Sequence, residues 1–150
     1  MIWKIWACTD GLNEQEQQTI LFACHELRQY MSAVTTDSII VMKGDSHNRD
    51  GLVLGVGLHP ALQQVKDPAL DDAIVIDVQG RSGVITGTNP RSVLIAAYRY
   101  LRELGFAFFR PGKQGEKYPL QLREKELGFD AFLAEAIELK ALCDTYQVPF

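Results

Sequence analysis

Asp72-Ala73-Ile74-Val75-Ile76-Asp77-Val78-Gln79-Gly80-Arg81-Ser82-Gly83-Val84-Ile85-Thr86-Gly87-Thr88-Asn89-Pro90 opens the stretch that decides the fold, and that stretch continues to Pro111. Ile74, Ile76 and Val78 alternate with Val75 and Asp77, the two-residue period of a half-buried strand. Gln79-Gly80-Arg81-Ser82 supplies turn chemistry, and alternation resumes from Val84 to Thr88, so the pair predicts a hairpin. Asn89-Pro90 then starts a helix. Asn89 can accept from an orphan amide of the first turn, worth ~1 kcal/mol, and proline is pre-shaped for the first helical position. The helix is predicted to run to Leu104, where Gly105 can take the left-handed dihedrals that close it. Phe106-Ala107-Phe108-Phe109 reads as a short aromatic strand ended by Pro111-Gly112.

Work outward from this unit and the chain keeps the same texture. Trp3 to Cys8 reads as a first strand, with Ile2, Lys4 and Trp6 opposed to Trp3, Ile5 and Ala7. Asn13 is placed to cap a helix with Glu14 and Glu16 in its first turn, where the helix dipole favours acids. That helix is expected to reach about Val34. It carries Ile20, Ala23, Cys24, Leu27, Tyr30, Met31 and Val34 on one face, with Phe22 nearly opposite. Ser38–Met42 and Leu52–Val56 read as two further strands, and His59 to Val65 as a helical turn. The expected fold is α+β. It is a mixed, mostly antiparallel sheet in the order β-α-β-β-β-β-α-β, with two helices packed on one face and a C-terminal helix over 131–146 capped by Asp130. Residues 1–112 form the domain, and 113–150 an exit linker and last helix, or the start of a following domain.

Thr86-Gly87-Thr88-Asn89-Pro90-Arg91-Ser92-Val93-Leu94, Tyr98-Arg99-Tyr100-Leu101, Glu103-Leu104-Gly105 and Phe109-Arg110-Pro111-Gly112 resemble the accessory N-terminal domain of certain glycoside hydrolases. These are the family 20 β-N-acetylhexosaminidases, the family 67 α-glucuronidases and related large bacterial enzymes. The likeness is best over residues 72–112 and extends weakly to Leu52-Val53-Leu54-Gly55. It departs at Ser92, where the pattern usually has glycine, and at Ile95-Ala96, where it often has an aromatic and a small residue. The resemblance implies an α+β sandwich preceding a (β/α)8 barrel. Catalytic carboxylates belong to that barrel, so no catalytic residue carries over.

Bulk properties narrow the field. At 150 residues the chain suits one domain, and a 47% hydrophobic, 23% charged composition is ordinary for a globular protein. No apolar run approaches the ~20 residues that span a bilayer. A net charge of −4 argues against nucleic acid, whose phosphates need a basic face. Cys8, Cys24 and Cys143 are an odd, widely spaced set and read as small buried side chains. Met1 to Trp6 is too short for a secretory h-region, so a complete chain is expected in the cytoplasm, and a chain with its signal removed would be exported.

Candidate chemistry is sparse. His25, His47 and His59 lack zinc spacing, and the acids of Lys43–Gly51 do not follow a calcium loop. His25 is expected at the edge of the first helix's apolar face, as a structural histidine. Asp71-Asp72 reads as a turn and cap pair rather than the opposed carboxylates of a glycosidase. Arg99, Arg102, Arg110 and Lys113 read as a solvated cationic face. No catalytic residue, metal or cofactor is assigned. The second helix is the oddity: Val93, Leu94, Ala96, Ala97, Tyr98, Tyr100, Leu101 and Leu104 cover roughly 200° of its wheel, about twice the usual stripe, with Ile95 beyond that. Such a helix is expected to be covered on more than one side. The second cover is expected to be the last helix of this chain, a dimer mate or another domain. In the hydrolases it resembles the two helices lie between sheet and barrel, so the resemblance implies Phe22, Ile95 and Tyr98 as the interdomain contact, facing a catalytic barrel domain, with carbohydrate at the domain border. The reading is a non-catalytic accessory domain of a carbohydrate-active hydrolase. Its rivals are a free-standing carbohydrate- or small-ligand-binding module and a small enzyme with an unrecognised site.

Overall fold

Alternating apolar residues become strands whose helix-facing side chains close one core. The computed structural model describes residues 2–44, 50–108, 116–119 and 125–127. In chain order these form β1 (Ile2–Ala7), α1 (Glu14–Ser32), β2 (Ser38–Lys43), β3 (Leu52–Val56), a 3-10 turn (Pro60–Gln64), β4 (Ile74–Gly80), β5 (Ser82–Gly87), α2 (Pro90–Glu103), β6 (Ala107–Phe108), β7 (Glu116–Lys117) and β8 (Lys125–Leu127). The architecture is α+β, with a mixed sheet and two helices on one face.

The main sheet runs β2-β1-β3-β5-β4-β8. The predicted hairpin is β4–β5, with Ile76 opposite Ile85 and Gln79 opposite Ser82. Gly80 takes φ +63° at the reversal, a dihedral that costs an L side chain energy. Antiparallel ladders in this sheet are confined to β5–β4 and β4–β8, while β2, β1, β3 and β5 run parallel. The parallel share therefore exceeds the mostly antiparallel expectation. One of these parallel pairs, β1–β2, follows from the 19-residue α1, a crossover that brings the chain back in the direction of β1. Within the stretch expected as an exit linker, β7 pairs with β6 and β8 adds to β4. The expected last helix over 131–146 lies outside the described residues, as does the apolar end Val148-Pro149-Phe150.

Trp3, Ile5 and Ala7 of β1, Leu52 and Leu54 of β3, Ile74, Ile76 and Val78 of β4 and Ile85 of β5 face the helices. Against them α1 sets Ile20, Ala23, Cys24, Leu27 and Met31, and α2 sets Val93, Ala96, Ala97, Tyr100 and Leu101. Fully burying each large aliphatic contributes about 1.5–3 kcal/mol, so this layer dominates the fold's stability. The wide apolar arc of α2 has a structural reason: one flank packs on the sheet and another on α1. On the opposite sheet face the 3-10 turn lays Leu62 over Ala73 and Val75. The hairpin turn is anchored too. Arg81 stacks 4.4 Å over the Trp3 ring and donates to Asp37 at 3.0 Å.

Candidate functional site

The start of α2 gathers the densest polar network, and local sequence explains how. Asn89 stays extended, and its side chain accepts from the Ser92 amide at 2.9 Å while Ser92 Oγ accepts from the Asn89 amide at 3.0 Å. This reciprocal cap satisfies two donors that a helix start would otherwise orphan. Asn89 Nδ2 then donates to the Pro68 carbonyl at 2.9 Å and to Asp72 Oδ1 at 2.7 Å. Arg91 grips the same carboxylate, which is 8% exposed at residue level. The Asp72 carboxylate holds the Arg91 guanidinium above its ordinary value. Thr88 completes the set by donating to the Asp71 carbonyl at 2.6 Å and accepting from the Ala73 amide at 3.1 Å. Behind it Gly87 lies so close to Ser92 that a Cβ would overlap the serine side chain and sit 2.8 Å from its carbonyl carbon.

A groove of about 550 Å³ opens beside this network. Its walls are Gln15, Glu16 and Thr19 from the first turns of α1, Val56 at the end of β3, Pro68 and Ala69 from the loop before β4, and Thr88 to Arg91. Crevices at the carboxyl ends of parallel strands are where open α/β sheets bind ligands.

The outer surface of the helical layer carries the residues expected at an interdomain contact. Phe22 on α1 is 50% exposed and Ile95 on α2 is 45% exposed. Tyr98 is half-buried and hydrogen-bonds Glu26 of α1, joining the two helices. Helical spacing sets Phe22, Glu26 and Tyr30 in one stripe and puts Ile95 a turn from Tyr98. Further along, Tyr30 donates to Glu116 Oε1 at 2.7 Å and Tyr118 to its Oε2 at 3.0 Å. Phe106 packs edge-on against Tyr30 and Tyr118, with ring centroids 5.9 and 5.4 Å apart. Burial raises the Glu26 carboxyl, opposed by the Tyr98 hydrogen bond and reinforced by Glu116. Burial, then the Glu116 hydrogen bond, raise the Tyr30 hydroxyl beyond the usual phenol range.

Other candidates resolve simply. Asp72 is the anchor for Arg91 and Asn89, and Asp71 lends its carbonyl to Thr88. His25 is exposed, turned away from the apolar face at whose edge it was expected, because that face is filled by Cys24 and Leu27. His59 caps the 3-10 turn through Nδ1, 3.1 Å from the Ala61 amide, and its Nε2 lies 3.7 Å from Asp77. Arg99 pairs with Glu103 at 3.3 Å, and Arg102 is exposed. Arg110, Lys113, His47 and Cys143 lie outside the described residues. Among those described, no three potential ligands gather as a metal site, and no helix is long and apolar enough to cross a membrane. Sequence reading missed the Glu26–Tyr98 and Tyr30–Glu116–Tyr118 contacts, for which no local motif exists.

No family model, curated protein or solved structure matches the chain.

Proposed function

We propose that this chain is a non-catalytic accessory domain of a carbohydrate-active hydrolase, packed through the outer face of α1 and α2 against a catalytic barrel domain that cleaves glycosidic bonds. The observation that carries the reading is the pair Phe22 and Ile95, two large apolar side chains left 50% and 45% exposed on adjacent helices. Fully burying such a side chain contributes about 1.5–3 kcal/mol, and roughly half of that remains to be gained at each. The Glu26–Tyr98 hydrogen bond ties the two helices together beside them. The likeness of residues 72–112 to hydrolase accessory domains supports the choice of partner, by analogy of sequence pattern.

Hydrogen–deuterium exchange tests this. The chain alone is compared with the polypeptide or complex purified from its natural source. Protection around Phe22 and Ile95 gained only beside a barrel domain is the expected result. Equal exchange in both samples rejects it, and protection that rises with the concentration of the isolated chain assigns the face to a second copy instead. Turnover of aryl-glycosides by the isolated chain, abolished by Asp72→Asn, overturns the non-catalytic part.

A further inference from the structure

We propose that the groove between the first turns of α1 and α2 binds an uncharged, hydroxyl-rich small molecule of one or two pyranose rings. The groove is separate from the docking face, since neither Phe22 nor Ile95 lines it. Its volume of about 550 Å³ falls within the range of small-ligand sites. Four segments of chain build it, and two of its polar side chains are held before any ligand arrives. Glu16 is held by its capping bond to the Asn13 amide at 3.1 Å, and Arg91 by Asp72 at 2.7 and 2.9 Å.

Charge decides the ligand class. The Arg91 guanidinium is already matched by the Asp72 carboxylate, so it offers an anion little net attraction. The Glu16 carboxylate accepts from the Asn13 amide and faces the positive end of its own helix dipole, which likewise weakens its pull on a cation. What the walls still offer is neutral hydrogen bonding. Gln15 is exposed with a full amide, and Thr19 donates to the Gln15 carbonyl at 3.3 Å while keeping its lone pairs as acceptors. Arg91 contributes N–H donors from a side chain 58% exposed. Val56, Pro68, Ala69 and Pro90 add apolar wall suited to the C–H faces of a sugar ring.

The test is an amide-resolved NMR titration of the full chain with the methyl glycosides of glucose, galactose, mannose and N-acetylglucosamine. Phosphate, glucuronate and glucosamine serve as the charged arms. At least one neutral glycoside is expected to give saturable shifts at Gln15, Thr19, Ala69 and Arg91 with Kd of about 1 mM. Gln15→Ala and Thr19→Val are each expected to weaken it roughly two- to tenfold, the loss of one neutral hydrogen bond. Both positions sit on the surface turn of α1, and unchanged signals from the core confirm that the variants fold. No shift from any neutral glycoside overturns the proposal. So does a charged arm that moves the same amides more strongly, or binding indifferent to both substitutions. These failures leave the exchange test of the docking face untouched.

Discussion

Arg91 holds Asp72 in a fork, Nε 2.9 Å from Oδ2 and Nη2 2.7 Å from Oδ1, with the acid almost wholly buried and the base largely in solvent. The asymmetry fixes which partner is dangerous to remove. A bared guanidinium can turn to water, whereas a bared carboxylate stays inside, still accepting from Asn89 Nδ2 at 2.7 Å but without its counter-charge. Arg91→Ala is therefore expected to cost about 1.5–3 kcal/mol, and adding Asp72→Asn, which removes the stranded charge, to recover part of it. Urea midpoints at unchanged m-value measure both, and a single-mutant loss below about 0.5 kcal/mol contradicts the account.

Gly87 presses against Ser92 where β5 meets α2. Gly87→Ala is expected to destabilise by about 1–3 kcal/mol through overpacking. A thermal melt indistinguishable from that of the parent protein would show that the strand and helix can separate without cost.

Glu26 binds its proton more tightly folded than unfolded, because burial raises its pKa. Over the interval above its ordinary value of 4.5 the folded chain thus carries more proton, and stability falls as pH rises through it. Glu26→Gln removes this slope. Between about pH 4 and about pH 7 the parent is expected to lose stability relative to the variant, and parallel curves for the two refute it.

The Cys24 thiol, fully buried on the core face of α1, is pushed up to about 12 by burial. It should resist alkylation at neutral pH except at the rate of global unfolding. Its raised value also means that stability declines as pH climbs from the ordinary thiol value of 9.0 towards about 12. Rapid labelling of Cys24 in the native chain, read by mass spectrometry, counts against both statements.

Phe22→Ser and Ile95→Ser should each cost the isolated chain no more than about 1.5 kcal/mol, the half of their burial already realised within the domain. Leu101→Ala, on the same helix but fully buried, should cost about 2–5 kcal/mol. Large losses from the two serine variants would mean that these side chains serve the domain's own core.

The sequence made some of this plain, and the reason is distance along the chain. Asn89 and Ser92 cap one helix, Asn13 and Glu16 the other, and Gly80 turns the hairpin, all within a few residues. Strand direction was hidden because alternation reveals which face a side chain takes and says nothing of whether the neighbour runs with or against it. The Tyr30–Glu116 bond spans 86 positions and has no local mark. Asp72 looked like a turn residue because its partner, Arg91, comes after a whole hairpin. The breadth of α2 signalled two covered flanks, but sequence alone did not identify α1 as one of them.

β1 lies between β2 and β3, and completing it requires segments from both sides of α1. The β4–β5 hairpin and α2, by contrast, are contiguous and assemble by short loop closures. The kinetic route should follow: Ile76→Val and Ile85→Val retard refolding, while Ile5→Val chiefly accelerates unfolding. Stopped-flow chevrons with the opposite partition would place the nucleus at the amino-terminal strand.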